Sequence, residues 1–304
     1  MSSTGAEQAS DQAAAGGQMA AFLDPGLDFS NESMTDDEVA RYLEWCRRIH
    51  GEGNLDLVPF AEFFAEFDRA GLKRLRRHTG TLALPPTAAV LMWAHTYCVL
   101  GFDKGVVYEV IAARELGVPK AVVVEVLRVA GFFGGPLALN AAGELTLPYL
   151  RKWPDDPDSP RSDLWPAVWT IQPRAFEAGI DHSSDELLPG ELDSVRDWYE
   201  RVHGGLPASL ESHAERLPRA FKMGRVRFER LPGDHLPPQV VALLALHTAA
   251  AQGHERSIRR AGELARWCGV DPGVISETVV WATVTAGPWR TEHALEVIDG
   301  VVHA

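Results

Sequence analysis

Cysteine is scarce in this chain. Only Cys46, Cys98 and Cys268 occur, far apart and never in a C-x-x-C pair. Disulfide frameworks and cysteine-based zinc sites need clustered thiols, so neither is expected. The N-terminus also lacks a basic region followed by an apolar core, which a secretory signal would show. The sequence therefore predicts free thiols in a reducing compartment, and we expect a cytoplasmic protein.

Positive charge and long apolar runs are also limited. Lys and Arg number 29 against 42 Asp and Glu, for a net charge of −13. Nucleic acids and anionic membranes are bound by clustered positive charge, and a membrane span needs about 18 or more apolar residues. We therefore expect a small-molecule substrate and neither kind of macromolecular partner. No H-x-x-x-H, H-E-x-x-H, phosphate loop or Rossmann fingerprint occurs, so no metal and no cofactor are predicted.

Alternating, β-branched strand patterns are nearly absent, so the predicted class is all-α. Residues 1–33 are rich in small and polar residues and predict a disordered tail. Helical patterning occupies 34–148 and 190–304. The segment 149–189 predicts a Pro- and Trp-rich linker, whose Trp153, Trp165 and Trp169 indicate that it lies on the protein.

One helix of the first region contains Gly134, Gly135 and Pro136 in its interior. A proline there loses a backbone hydrogen bond and clashes with the preceding turn. We therefore expect a break in the helix at this point, where exposed backbone groups favour a binding site.

The two helical regions share an internal repeat. The separation of matched residues is nearly constant, at 198 − 45 = 153 near the start and 247 − 95 = 152 further on. Such a register predicts a tandem duplication of one helical unit. Matched features are Trp45 and Trp198, His50 and His203, Pro85-Pro86 and Pro237-Pro238, His95 and His247, Gly101 and Gly253, and Gly135-Pro136 and Gly287-Pro288.

Residues 100–141 resemble the carboxymuconolactone decarboxylase family, which includes the alkylhydroperoxidase-D-like proteins. The similarity lies in a Leu-Gly turn, a later Gly-Val turn, and an ending that reads Phe133-Gly-Gly-Pro followed by Asn140-Ala. The resemblance implies a bundle of helices in small units that assemble into trimers or hexamers. A tandem chain would then equal two fused units, and we expect a homo-oligomer, a trimer by analogy.

The redox branch of that family uses two cysteines and a histidine, and this chain has none of them in place. The matching residues of the first repeat are Phe102, Gly105 and Glu109, and those of the second are His254, Ser257 and Ala261. The tyrosine of the family's last motif is Phe133 here. Peroxide reduction needs a reactive thiolate, so thiol peroxidase chemistry through the remaining cysteines is the least favoured alternative.

Glu109 and His95 are the predicted catalytic acid and base, because a carboxylate in an apolar pocket and an imidazole both exchange protons near neutral pH. The structural alternatives are a helix-surface charge for Glu109 and a buried, hydrogen-bonded ring for His95. For His50 and His203, at helix ends, the structural interpretation is favoured. The predicted substrate-binding residues are Tyr97, Phe102, Asp103, Tyr108, Phe133, His247, His254 and Arg290.

Together these features favour a cofactor-free, non-redox lyase or isomerase that uses acid–base chemistry on a small organic acid, lactone or related metabolite. The alternative is a catalytically inactive binding or assembly protein on the same scaffold. Loss of every redox residue from both repeats is consistent with either function.

Overall fold

The computed structural model of the chain describes residues 26–50, 58–79, 84–153 and 164–303. These residues form helices and turns, with no strand among them, which confirms the all-α class. Most of the expected N-terminal tail and part of the linker lie outside the described residues. The helices are α1 Asp36–His50, α2 Val58–Phe67, α3 Arg69–Thr79, α4 Pro86–Leu100, α5 Asp103–Glu115, α6 Lys120–Lys152, α7 Glu191–His203, α8 Ala208–Arg216, α9 Pro218–Glu229, α10 Pro238–Gln252, α11 Glu255–Trp267, α12 Pro272–Trp281, α13 Thr283–Ala286 and α14 Pro288–Val302.

The chain divides into two compact units. The first contains Met1–Val123 and Asn140–Ala167, and the second contains Val124–Leu139 and Val168–Ala304. The middle of α6 therefore belongs to the second unit, although it lies within the first expected repeat. Its Glu125 accepts the N–H groups of Gly233 and His235 at 2.9 and 3.0 Å, and Arg128 donates to the carbonyl oxygens of Arg230 and Leu231.

Each unit is centred on an antiparallel helix pair. In the first unit α4 packs along α5, and α1 packs against α5. In the second unit α10 packs along α11, α7 packs against α11, and α14 packs against both α11 and α12. The central helices α4 and α10 are apolar nearly all round, as helices surrounded by neighbours must be.

The two central helix pairs begin and end at matching residues. Each first helix follows a proline in extended conformation, Pro85 or Pro237, and has a second proline at its first position, where the missing N–H costs nothing. Each ends at a left-handed glycine, Gly101 with φ 75° and Gly253 with φ 69°. The following helices start at Asp103 and Glu255, so the offset is again 255 − 103 = 152.

A sharp reversal occurs within α6, where an irregularity was expected. Gly135 has φ 76° and ψ 177°, a conformation open only to glycine. A Cβ placed on Gly131 would lie 3.6 Å from Cβ of Leu139, whereas eight residues of straight helix span about 12 Å. The chain thus folds back at Gly135. It does the same at Gly287 (φ 76°, ψ 166°), where Oγ1 of Thr283 donates to Oγ1 of Thr291 at 3.0 Å.

The reversal at Gly135 limits the length of continuous helix that α6 could place across a membrane. By length and composition α6 is apolar enough to cross a membrane, with a mean hydropathy of 1.7 in its most apolar window, 39% of which is buried. Crossing a bilayer takes about 20 residues of continuous helix. Gly135 divides α6 into the segments 120–134 and 136–152, and neither reaches that length.

Each unit also contains a buried glutamate that accepts hydrogen bonds from two backbone N–H groups in or next to the segment before a helix and from a lysine. We call this arrangement the glutamate clamp. In the first unit Glu38 accepts the N–H groups of Asp28 and Thr35 at 2.7 and 2.8 Å, and the ammonium group of Lys73 at 3.1 Å. In the second, Glu191 accepts from the N–H groups of Asp181 and Leu188 and from Lys222.

The clamps match in sequence as well as in geometry. Glu191 follows Glu38 by 191 − 38 = 153 positions, and Asp181 follows Asp28 by 181 − 28 = 153. Leu27 is buried, so the chain is packed before the expected boundary at residue 34. In the described parts of the expected linker, Trp153, Trp169 and Phe176 are buried.

Replacing either reversal glycine by alanine is expected to lower the free energy of unfolding by about 1–3 kcal/mol, because a side chain is strained at this φ even though space is open around it. Gly135→Ala and Gly287→Ala are measured by urea denaturation. The matched controls are Gly143→Ala and Gly300→Ala, which lie in ordinary helix with open space and should stabilise slightly. Equal effects at all four positions would contradict the reversal.

Breaking a clamp should destabilise strongly. Glu38→Gln or Glu191→Gln leaves a buried ammonium group without its counter-ion, and we expect a loss of about 3–5 kcal/mol in urea denaturation. Glu62→Gln, at an exposed position of α2, is the control and should change stability by less than about 0.5 kcal/mol.

The clamp also predicts acid sensitivity. Burial alone would raise the pKa of Glu38, but the N–H of Thr35, Lys73 and the N–H of Asp28 together lower it from 4.5 to about 2. A depressed carboxyl pKa adds stability above pH 4.5, and that part is lost as pH falls toward 2. A Glu38→Gln chain should therefore lose less stability over this pH range than the wild type.

Candidate functional site

The α4–α5 turn brings together several of the predicted site residues. Tyr97 lies in the last turn of α4, Phe102 directly precedes α5, and Glu109 lies nearly two turns into α5. The left-handed Gly101 lets the N–H of Phe102 reach the carbonyl oxygen of Tyr97 at 2.8 Å. As a result the two rings meet edge to face, with their centroids 5.3 Å apart.

Gly105 is packed beneath these rings. A Cβ at this position would overlap the ring of Phe102 and lie 2.8 Å from the ring of Tyr97. Any larger side chain would push the aromatic pair apart. The position that matches the second cysteine of the family's redox branch thus has no room for a thiol here.

Glu109 provides a buried carboxylate behind this aromatic pair. Glu109 is only 8% exposed to solvent. Burial raises the pKa of Tyr97 well above 10, and the nearby charge of Glu109 raises it further. Tyr97 is therefore a neutral hydroxyl at any physiological pH and is able to donate a hydrogen bond. The turn combines a proton acceptor, a hydrogen-bond donor and the half-exposed ring of Phe102.

Two further predicted residues lie on the same helix. Asp103 is the first residue of α5 and is partly buried, where its carboxylate faces the positive end of the helix dipole. Tyr108 is 5% exposed and belongs to the core. Phe133 belongs to the segment assigned to the second unit, where it is 40% exposed and packs edge to face on Phe132.

His95 and His247 are both fully buried in the central helices. His95 precedes Tyr97 by two residues, which rotates it by roughly 200° around α4 to a different face. Burial lowers the pKa of His247 from 6.5 to about 4, although a hydrogen bond to the backbone of Trp281 partly opposes this. The ring of His247 is thus neutral and has the character of a core residue.

At the matching turn of the second unit, His254 and Arg290 form hydrogen bonds at helix ends. His254 is exposed, precedes α11, and its Nδ1 lies 2.9 Å from Oγ of Ser257. Arg290 donates from Nη1 to the carbonyl oxygen of Ala251 at 2.9 Å and so satisfies the C-terminal end of α10. The side chain of Arg290 also runs along Gly253, so the structure brings Arg290 to the turn that carries His254.

The remaining thiols are unsuited to redox chemistry. Burial raises the pKa of Cys98 to about 11 and that of Cys268 to about 12. Cys46 is also buried. Because the thiolate is the reactive form, burial disfavours reaction of Cys98 and Cys268 near neutral pH.

Sequence reasoning missed two histidine–carboxylate pairs in the second unit. His203 Nδ1 lies 2.8 Å from Oε2 of Glu263, and His182 Nε2 lies 2.6 Å from Oε2 of Glu229. Sequence spacing gave no sign of them, because their partners are 60 and 47 residues apart. The repeat offered one indication of the first pair. Glu263 in the second copy matches Ile111 in the first, so a charged residue replaces an apolar one at this position.

The comparisons with known proteins add no assignment. No protein-family model matches the chain, and no curated protein matches it. The resemblance described above therefore depends on the motifs in residues 100–141 and their weaker second copy.

The buried ring of His247 predicts a specific loss of stability in acid. Its folded pKa of about 4 lies below the ordinary 6.5, so protonation favours the unfolded chain. The stability that this ring contributes is complete above pH 6.5 and is lost as pH falls to 4, by about 3 kcal/mol. Urea denaturation across this pH range should show a shallower slope for His247→Leu. His254→Ala, at an exposed histidine, should keep the wild-type slope.

Proposed function

We propose that the protein is a cofactor-free, non-redox enzyme of the lyase or isomerase class. Its substrate is a small organic acid, lactone or related metabolite, and its reaction centre is the α4–α5 turn. The observation that carries this proposal is the buried carboxylate of Glu109, which is close enough to Tyr97 to raise the pKa of that phenol. Buried carboxylates with a neighbouring hydrogen-bond donor are typical of acid–base catalysis.

In this proposal Glu109 accepts a proton from the carbon next to a carbonyl or carboxyl group of the substrate. The electron pair of the broken C–H bond moves onto the substrate oxygen, and the Tyr97 hydroxyl donates a hydrogen bond to it. Return of the proton from Glu109 to another atom completes an isomerisation, and departure of a group completes an elimination. The half-exposed ring of Phe102 would contact the apolar part of the substrate.

His95 is the other predicted proton carrier. It is fully buried on a different face of α4, so a direct role for it requires a substrate that reaches the core of this helix. Its contribution is therefore tested separately from that of Glu109.

We also propose that the chain arose by tandem duplication of a unit like that of the carboxymuconolactone decarboxylase family. Support comes from helices of equal length at a constant offset: α4 and α10 have 15 residues each, and α5 and α11 have 13. The two chain reversals and the glutamates of the two clamps follow nearly the same register, at 287 − 135 = 152 and 191 − 38 = 153. The clamps extend the matched region to Asp28 and Asp181, earlier than the motifs near Trp45 and Trp198.

A second candidate function is binding or assembly without catalysis. The complete burial of both matched histidines favours it, because a core role explains their presence in both copies. Leu137 and Trp289, at matching positions after the two reversals, are each 85% exposed. A homo-oligomer, expected from the resemblance, would cover such apolar side chains.

The experiment that separates these functions is a turnover screen of the wild type against small lactones and unsaturated or keto acids. For any substrate found, Glu109→Gln should lower kcat by about 10²–10⁴-fold, the usual contribution of a general acid–base group. Glu115→Gln, at an exposed position of the same helix, is the matched control and should retain activity. Wild-type kcat in a folded Glu109→Gln chain would exclude this role, and the same measurement on His95→Gln decides the second assignment.

A further inference from the structure

The second unit contains a histidine whose surroundings resemble those of a catalytic base. His203 is the last residue of α7, and Nδ1 of its ring lies 2.8 Å from Oε2 of Glu263 on α11. The side chains are 9% and 20% exposed, so the pair is largely removed from solvent. A carboxylate only accepts hydrogen bonds, so Nδ1 carries the hydrogen of this contact. In the neutral ring the lone pair is then on Nε2.

Aromatic packing holds the imidazole in this orientation. The ring of His203 lies 5.6 Å from that of Trp198 and 5.4 Å from that of Tyr199, measured between centroids. Trp198 is almost completely buried and is fixed in turn by the guanidinium of Arg225, 4.0 Å from its ring. Nε2 of His203 has no hydrogen-bond partner within the described part of the chain, and it is not among the fully buried polar atoms. Nε2 therefore keeps some contact with solvent.

A partly exposed tryptophan packs against Trp198, the same ring that His203 contacts. Trp267 follows Glu263 by one helical turn on α11 and so lies on the same face. Its ring is 39% exposed and lies 6.0 Å from that of Trp198. At the position of the first unit that matches Glu263 the sequence has Ile111, so the carboxylate of the pair is particular to the second copy.

We propose that His203 and Glu263 form a proton-accepting dyad, with Nε2 of His203 as the base and Glu263 as the residue that orients it. Its ligand is a small molecule with an aromatic or unsaturated body and a dissociable proton, and the body rests on Trp267. The ligand's proton moves to Nε2, and the resulting imidazolium is stabilised by the Glu263 carboxylate. This site is independent of Glu109 and of the function proposed for the first unit.

The availability of Nε2 is tested with diethyl pyrocarbonate, which acylates unprotonated imidazole nitrogens, and with mass spectrometry of each histidine peptide. The reaction is run at about pH 9, well above the ordinary imidazole pKa of about 6.5, so that loss of protonation does not enter the rates. We expect His203 to be modified, and Glu263→Gln to slow its modification by about tenfold, the size of one charge-assisted hydrogen bond. His254 is the internal control, since its Nδ1 contacts a neutral hydroxyl and its rate should not change. Equal rates at His203 in the two proteins would overturn the proposal.

Two measurements on the wild type do not depend on the variant folding. Nitrogen-15 NMR should find the neutral His203 ring protonated on Nδ1, and a proton on Nε2 would overturn the dyad. 4-Nitrophenol, an aromatic acid, should protect His203 from modification while leaving His254 reactive, and cyclohexanol should protect neither. Absence of selective protection would overturn the ligand class.

Discussion

The reversal of the chain at Gly135 is the constraint on which the architecture depends. Without it, α6 would be one continuous helix of 33 residues, about 50 Å long. The left-handed φ of Gly135 turns that helix into two antiparallel segments, so that apolar side chains such as Leu139 fold back over the preceding turn at Gly131. Gly287 does the same in the second unit, and the helices α12 and α14 pack together as a result.

The all-α class, the ends of α4 and α5, and the break near Gly135 could be predicted from sequence because local chemistry determines them. Prolines fix helix starts, and glycines fix left-handed ends. The glutamate clamps could not be predicted in this way. Glu38 and Lys73 are 35 residues apart, and a charged residue is expected on the surface unless its distant partner is known.

The candidate site was predictable in part. Motif positions pointed to Phe102 and Glu109, and Tyr97 was named for its closeness in sequence to the same turn. The structure brings the rings of Tyr97 and Phe102 into contact there. The role of Arg290 was not predictable, because its hydrogen bond to Ala251 depends on how α14 folds back onto α10. The pair of His203 and Glu263 depends in the same way on the packing of α7 against α11. Residues that act through tertiary contacts carry no local signature, so sequence reasoning favours those near turns.

Two near-identical clamps in one chain create a folding problem that a single unit does not have. The segment that begins at Asp28 and the segment that begins at Asp181 present the same backbone donors, and each finds a glutamate and a lysine in its own unit. Wrong pairing of related segments is a known failure of repeat proteins. His182 distinguishes the second segment, because its ring meets Glu229 there, whereas the first segment has Phe29 at the matching position. The contact with Glu229 therefore gives the second segment a polar partner that Phe29 cannot take at the matching position of the first.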